Sequence, residues 1–162
     1  MVPIIAGLVS PLTIKFFLSI SNILTFRPAN MREAEQRYGK LYRDYSWEHA
    51  DKFLVTADLS MFHSLLDRVT VNRDIIIPLY IVMQTLHREG LIDEITEFKG
   101  CYNTRPVQGT NRPSVHAYGL GCDFDNNEFS PEFVKVWKDQ GWTWGGDWKK
   151  YDPMHFSYAW ED

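Results

Sequence analysis

The sequence predicts an α+β domain in which helices come first and short strands follow. A chain of 162 residues usually forms one domain with a single core. Its composition, 44% apolar and 23% charged, is typical of a globular protein. Most segments with the apolar spacing of a helix lie before residue 92, whereas the later segments are mostly short, extended and rich in glycine.

Three helices are predicted in the first part of the domain. Residues 31–53 are charged and rich in helix formers, with a break near Gly39. Residues 59–69 have the spacing of a short amphipathic helix. Residues 71–91 carry apolar residues at helical spacing and stop at Gly90, a residue typical of helix C-termini.

A strand and a fourth helix are predicted further along the chain. Residues 93–100 alternate apolar and polar side chains, as a half-buried strand does. Residues 130–142 begin with Ser130 and Pro131, which favour the N-cap and the first helical position, and Gly141 is a suitable stop.

The N-terminal residues predict a separate apolar arm. Residues 3–26 are mostly apolar and contain no acidic residue, but two prolines and Lys15 interrupt them. We therefore divide the chain into an arm, residues 1–30, and a domain, residues 31–162. Packing on its own domain or on a partner such as a virion protein, contact with a membrane, and export all remain open for the arm.

The net charge and the number of cysteines limit the kinds of function that the sequence allows. The net charge of -4 argues against nucleic acid as a partner, because phosphate binding normally requires a basic surplus. Cys101 and Cys122 form at most one disulfide and lack the spacing of a zinc knuckle. Two cysteines do not indicate whether the protein works in an oxidising or a reducing compartment.

The stretch SVHAYGLGCDFD, residues 114–125, predicts a metal site. Histidine and aspartate are both zinc ligands, and ligands of one ion lie within a few ångströms of each other. Seven residues of strand would separate His116 from Asp123 by roughly 23 Å, and two helical turns by roughly 10 Å. The chain must therefore double back at the two glycines between them. His155, in the non-helical DPMHFSY, is the candidate third ligand. The other histidines lie in predicted helices and are interpreted as surface or boundary residues: His49, His63 and His87.

The same stretch resembles the S-x-H-x-x-G-x-A-x-D signature of the D-alanyl-D-alanine carboxypeptidase-like zinc peptidases. That family includes the L-alanyl-D-glutamate endopeptidases of bacteriophage endolysins. GCYNTRPVQGTNRPSVHAYG and WGGDWKKYDPMHFSY resemble the family segments on either side, so the similarity covers roughly residues 70–160. The resemblance implies the zinc D,D-peptidase (Hedgehog/DD-peptidase-like) fold, a small antiparallel sheet with packed helices.

The resemblance also implies roles for individual residues. His116, Asp123 and His155 match the three zinc ligands. Asp152, three positions before the last histidine, matches the catalytic acid/base. Arg105 matches the family arginine that faces a carboxylate or carbonyl oxygen of the substrate, although pairing with an acidic neighbour on a surface loop is the simpler alternative.

Three further residues are interpreted as substrate-binding. Ser114 is assigned to hydrogen bonding with substrate or behind a ligand, Tyr118 to the groove or to a cover over the metal site, and Trp144 to the groove or the core. Two positions depart from the family pattern. Gly121 replaces the usual alanine, and Ser157 replaces a common glutamate, which puts the support of the last ligand in doubt.

The implied function is a zinc-dependent peptidoglycan peptidase. Zinc lowers the pKa of a bound water toward about 7, so that hydroxide is available to attack an amide. We expect cleavage of stem peptides, of the L-Ala–D-Glu endopeptidase or D-Ala–D-Ala carboxypeptidase type, by a phage lysis or virion-associated enzyme. Such an enzyme resides in the host cytoplasm before release to the cell wall, or in the virion. The alternatives are a host cell-wall carboxypeptidase and a virion structural or anchoring protein that retains the fold.

Overall fold

The computed structural model describes residues 4–5, 26–40, 52–124 and 128–160, and three helices and seven short strands lie within them. The helices are α1 (Met31–Tyr38), α2 (Ile76–Arg88) and α3 (Pro131–Asp139). The strands are β1 (Ile4–Ile5), β2 (Leu54–Ala57), β3 (Val69–Asn72), β4 (Phe98–Gly100), β5 (Gly121–Phe124), β6 (Thr143–Trp144) and β7 (His155–Ser157).

The strands form two small sheets. The first has the order β1-β2-β3, with β1 parallel to β2 and β2 antiparallel to β3. The second has the order β4-β5-β7-β6, and every neighbouring pair in it is antiparallel. The predicted α+β class with small antiparallel sheets is confirmed. Strand β1 lies in the predicted arm, whose residues 6–25 fall outside the described residues. Among the described residues, no helix has both the length and the apolar character needed to cross a bilayer.

Two of the predicted helices agree with the structure. Helix α1 begins at the N-cap Asn30 and ends before Gly39, whose φ of 96° breaks it as expected. The rest of that predicted segment, residues 41–51, lies outside the described residues. Helix α3 begins with the predicted cap, because the Ser130 hydroxyl accepts a hydrogen bond from the Phe133 N–H. The Glu94 carboxylate accepts two further hydrogen bonds from Ser130 and fixes this end of the helix.

The helix predicted over residues 59–69 is wrong. This segment contains a single 3₁₀ turn, Ser64–Leu66, and its last residue begins strand β3. The segment is the connection between the paired strands β2 and β3, and its backbone forms local turn hydrogen bonds instead of a helix, such as those from the Leu59 N–H to the Leu66 carbonyl and from the Leu66 N–H to the His63 carbonyl. The next predicted helix is shorter than expected, because its first residues belong to β3 and α2 begins at Ile76.

The strand predicted over residues 93–100 is also shorter in the structure. Residues Ile92–Glu94 form a 3₁₀ turn, and only Phe98–Gly100 pairs with a neighbouring strand. Alternating apolar and polar residues indicate which side chains of a strand are buried. They do not indicate at which residue hydrogen bonding to the neighbouring strand begins.

An aromatic core holds the second sheet against α3. Phe124 of β5 and Phe156 of β7 both contact Trp137 of α3, and the Trp137 and Phe156 rings stack with centroids 4.4 Å apart. Phe129 and Phe133 stack beside them at 4.3 Å. All five side chains are buried. Rings of this size dominate the energetics of a core, so they fix which face of β5 and β7 points inward.

Asn72 ties the first sheet to the segment that precedes β5. Its buried side-chain amide donates a hydrogen bond to the Tyr118 carbonyl, 3.0 Å away, and its backbone N–H donates to the Gly119 carbonyl at 2.9 Å. Gly119 has a φ of 65°, and a Cβ there would lie 2.8 Å from the Asn72 nitrogen. Glycine is therefore required by both conformation and space.

Two adjacent leucines of the Ser64–Leu66 turn give a matched test of this core. Leu66 is 1% exposed and Leu65 is 41% exposed. We expect Leu66→Ala to lower the free energy of unfolding by about 2–5 kcal/mol, because it leaves a cavity in the core. Leu65→Ala should change it by less than about 0.5 kcal/mol. Urea denaturation measures both, and equal effects would contradict the burial of Leu66.

Candidate metal centre

The register of β5 and β7 brings two of the predicted ligands together. Asp123 lies directly opposite His155 in this antiparallel pair, and Cys122 lies opposite Phe156. Because side chains alternate along a strand, the second pair faces the core and the first pair faces the other way. Side chains directly opposite each other on one face have Cβ atoms about 5 Å apart. The two predicted ligands, 32 residues apart in sequence, are therefore neighbours.

His116 reaches the same place from a 3₁₀ turn, Val115–Tyr118. The Ser114 hydroxyl caps this turn by accepting a hydrogen bond from the His116 N–H. The chain then reverses at Gly119 and enters β5 two residues later. The predicted doubling back is thus present at Gly119, whereas Gly121 is part of the strand.

Three side-chain atoms converge at this point. The Asp123 Oδ1 atom lies 2.6 Å from His155 Nδ1 and 3.1 Å from His116 Nε2, and the two nitrogens are 3.0 Å apart. Ligands of a tetrahedral zinc ion lie about 3.4 Å from one another, given metal–ligand distances near 2.0–2.2 Å. The three distances need to increase by roughly 0.3–0.8 Å to hold such an ion, the largest change being between Asp123 Oδ1 and His155 Nδ1. Two imidazoles and a carboxylate are a donor set that zinc prefers, so this group fits a metal.

The His116 ring is oriented for this purpose by the backbone. Its Nδ1 atom lies 3.1 Å from the Cys101 carbonyl oxygen, and since a carbonyl can only accept, Nδ1 carries the proton. Loss of the proton from Nε2 on metal binding would then leave a lone pair directed toward Asp123 and His155. Hydrogen bonds of this kind commonly fix the tautomer of a metal-binding histidine.

A disulfide links Cys101, whose carbonyl orients His116, to the residue that precedes Asp123. Cys101 is bonded to Cys122, which directly precedes Asp123. Both cysteines are buried. The residue that orients His116 and the residue that precedes Asp123 are therefore covalently linked. The sequence left the pairing open, because two cysteines show only that at most one disulfide can form.

The charge state of Asp123 follows from its surroundings. Burial alone would raise the pKa of its carboxyl, but hydrogen bonds and charge interactions with His116 and His155 outweigh burial and hold that pKa well below its usual range. The group is ionised at neutral pH, as a metal ligand must be. Arg105 lies beside it, with Nη2 3.7 Å from Asp123 Oδ2. The predicted substrate arginine is thus at the edge of the site, 40% exposed.

The ring of His155 is packed on two sides. A Cβ on Gly121 would lie 2.7 Å from His155 Cε1, so the absence of a side chain there makes room for the imidazole. The Trp148 ring contacts it with centroids 5.1 Å apart. The buried Nε2 atom of His155 has no hydrogen-bond partner among the described residues. Ser157, at the position of the family glutamate, donates instead to the Trp160 carbonyl.

Asp152 lies in the loop that enters β7. Its backbone N–H donates to the Gly145 carbonyl at 2.9 Å, and its carbonyl accepts from the His155 N–H at 3.2 Å. Its side chain is partly exposed and is not one of the three converging groups. Trp144 stabilises the same loop, because its Nε1 atom donates to the Pro153 carbonyl at 2.7 Å.

The three residues interpreted as substrate-binding lie in different environments. Ser114 and Tyr118 are both 0% exposed, so in this conformation neither side chain has surface that a substrate could contact. Ser114 instead caps the turn that carries His116, and Tyr118 packs against Tyr38 and Trp160 in the core. Trp144 is partly exposed and remains a candidate. Outside the site, His63 caps the 3₁₀ turn Ser64–Leu66, while His49 lies outside the described residues.

Comparison with known proteins gives one finding. A family model described as D-alanyl-D-alanine carboxypeptidase matches residues 108–158. This segment covers less than half of the chain. It contains His116, Asp123, Asp152 and His155, and it leaves out Arg105. No curated protein and no solved structure matches the chain. The matched segment supports the resemblance to D,D-peptidases and suggests that the protein is a peptidase.

Removing the disulfide should weaken both the fold and the metal centre. We expect the double variant Cys101→Ala, Cys122→Ala to lose about 3 kcal/mol of stability, because the loop of about 20 residues is no longer closed in the unfolded chain. Zinc affinity should fall about 10- to 100-fold, since the carbonyl that orients His116 is released. Chelator competition measures the affinity. Reductant should weaken zinc binding by the wild type and leave the double variant unchanged; a wild type insensitive to reductant would contradict the coupling.

Adding a methyl group at Gly121 should displace His155. Although the family signature has alanine at this position, we expect Gly121→Ala to weaken zinc binding by this chain about tenfold, because here the new Cβ occupies space taken by the His155 imidazole. Gly109→Ala is the control: its φ of 80° makes an alanine there mildly strained, but a Cβ has no neighbour within 4 Å and displaces no side chain of the candidate site. Its zinc affinity should match the wild type. An unchanged affinity in Gly121→Ala would show that the ring is not held against this strand.

Proposed function

We propose that this protein is a zinc-dependent peptidase that hydrolyses an amide bond in peptidoglycan stem peptides. The observation that carries the proposal is the convergence of His116 Nε2, Asp123 Oδ1 and His155 Nδ1 inside the segment that matches the carboxypeptidase family. Three protein ligands with a position left open are typical of catalytic rather than structural zinc sites.

The chain's own residues supply the rest of the chemistry. Zinc, when bound, provides a Lewis acid that polarises an amide carbonyl and acidifies water. Asp152 takes the proton of the attacking water on its carboxylate and delivers it to the leaving amine. Its backbone supports this role, because its N–H donates to Gly145 and its carbonyl accepts from His155, which holds Asp152 three residues before the third candidate ligand. The partly exposed carboxylate is open to a substrate.

Arg105 binds the substrate oxygen that becomes negative. Its guanidinium presents several N–H donors and lies at the edge of the site, 3.7 Å from Asp123 Oδ2. That distance is long for a hydrogen bond, so the guanidinium can donate to a second oxygen. A donor placed at the developing charge stabilises the transition state.

We propose further that the enzyme serves phage lysis or is carried by the virion. The resemblance of its motifs to those of phage endopeptidases supports this and favours the L-Ala–D-Glu bond over the D-Ala–D-Ala bond. The enzyme would act in the periplasm or cell wall, where disulfides persist, and the Cys101–Cys122 bond is consistent with that location. The apolar arm, through residues 3–26, is the segment that would contact a membrane or a virion protein.

The test measures zinc content and muropeptide release together. We expect wild type to bind one zinc ion and to release peptides from purified peptidoglycan, with mass spectrometry identifying the bond cut. Asp152→Asn should retain zinc and lose at least about 100-fold in kcat, because the proton acceptor is gone. Asp147→Asn, an exposed aspartate of the same segment paired with Lys138, is the matched control and should keep full activity.

Each outcome that differs from this expectation leads to a different conclusion about the protein. Absence of zinc in the wild type would overturn the assignment of His116, Asp123 and His155. Zinc binding without cleavage, across several wall chemotypes, would favour a structural protein that retains the fold. Release of D-alanine alone would assign the carboxypeptidase reaction in place of the endopeptidase.

A further inference from the structure

A second concave site lies outside the metal centre. It is a cavity of about 280 Å³, close to the lower end of small-molecule pockets, about 300 Å³. Its wall is partly apolar and partly cationic. The lining residues are Asn30, Met31 and Arg32 at the start of α1, Val107, Arg112 and Pro113 in the loop before the metal centre, and Trp160 near the end of the described chain.

Within the described residues, the two arginines of this cavity have no paired carboxylate. Neither Arg32 nor Arg112 makes a side-chain ion pair or hydrogen bond within the part of the chain that the structure describes. The Glu33 carboxylate, next to Arg32 in the sequence, instead accepts hydrogen bonds from the Ala29 N–H and the Asn30 side-chain amide. In a protein with a net charge of -4, two such cations at one apolar cavity favour an anionic ligand with an apolar body.

A hairpin connects the cavity to the metal centre. Hydrogen bonds run from the Asn103 N–H to the His116 carbonyl, from the Ser114 N–H to the Arg105 carbonyl and from the Val107 N–H to the Arg112 carbonyl. From one pair to the next, the number of one residue rises by two while the number of its partner falls by two. This is the register of antiparallel strands, so the segment forms a narrow antiparallel ladder. An isolated bridge between Pro106 and Pro113 agrees with the same register.

This ladder sets the distance between the two sites. Arg105, beside Asp123, is two residues from Val107 of the cavity, which is about 7 Å of extended chain. His116 is four residues from Arg112, and two extended residues followed by two residues of the 3₁₀ turn span about 11 Å. A substrate peptide extended at about 3.4 Å per residue from the metal would reach the cavity two to four residues from its scissile bond.

We propose that this cavity binds a free carboxylate of the stem peptide at a residue two to four positions from the bond being cut. The inference rests on the proposed function, since it assigns a second contact to the same substrate. Stem peptides carry carboxylates on more than one residue, and an arginine fork pairs with a carboxylate in a planar, bidentate manner. Met31, Val107 and Trp160 contact the apolar part of that residue.

Equilibrium binding tests the cavity apart from catalysis. Full-length zinc-loaded protein in an Asp152→Asn background is titrated calorimetrically with a stem peptide bearing free carboxylates, and with the same peptide fully amidated. We expect Arg32→Gln and Arg112→Gln each to weaken binding of the acidic peptide about five- to tenfold. The preference for the acidic over the amidated peptide should shrink by the same factor. Arg68→Gln, an exposed arginine outside the cavity, is the control and should match the background protein.

The outcomes separate this inference from the proposed function. If both arginine variants bind like the Arg68→Gln control while wild type cleaves peptidoglycan, the cavity assignment fails and the peptidase stands. If the arginines govern peptide binding but wild type cleaves nothing, the cavity stands and the catalytic proposal fails. Failure of the acidic peptide to bind overturns the inference, as does arginine-dependent binding of a glycerol phosphate oligomer in its place.

Discussion

The pairing of β5 with β7 is the constraint on which the candidate site depends. Cys122 and Phe156 face the core on one side of this pair, and Asp123 and His155 face each other on the opposite side. The stack of Phe156 on Trp137 stabilises that arrangement, because turning either strand over would expose a large ring. A slip of one residue would exchange the two faces and separate the ligands. The aromatic core and the metal centre therefore specify the same register.

His116 is held from two directions that do not involve the other ligands. Below its turn, Asn72 binds the Tyr118 and Gly119 backbone and so connects the turn to the first sheet. Beside it, the Cys101 carbonyl accepts the Nδ1 proton. These supports fix the ring before any ion arrives, which lowers the cost of assembling the site. His155 differs, because packing by Gly121 and Trp148 holds its ring while its Nε2 atom has no partner in the described chain.

The candidate site was more predictable from the sequence than the fold around it. His116, Asp123 and His155 could be grouped because their spacing demands a reversal and their motif resembles a known signature. Strands β2 and β3 were not foreseen, since four-residue strands depend on a partner that local periodicity does not reveal. The cavity brings together Arg32 and Arg112, which are 80 positions apart in the sequence, and no local pattern reports such a contact.

Adjacent residues of β5 make cross-links on opposite faces of one strand. Cys122 is bonded covalently to Cys101, and Asp123, when an ion is bound, is joined through it to His116 and His155. Local opening of a sheet usually proceeds from strands with few constraints. A strand pinned from both faces cannot detach without breaking a covalent bond or releasing the ion, so the middle of this sheet opens only with the whole domain. The last part of the protein to move is then the part that carries the candidate metal centre.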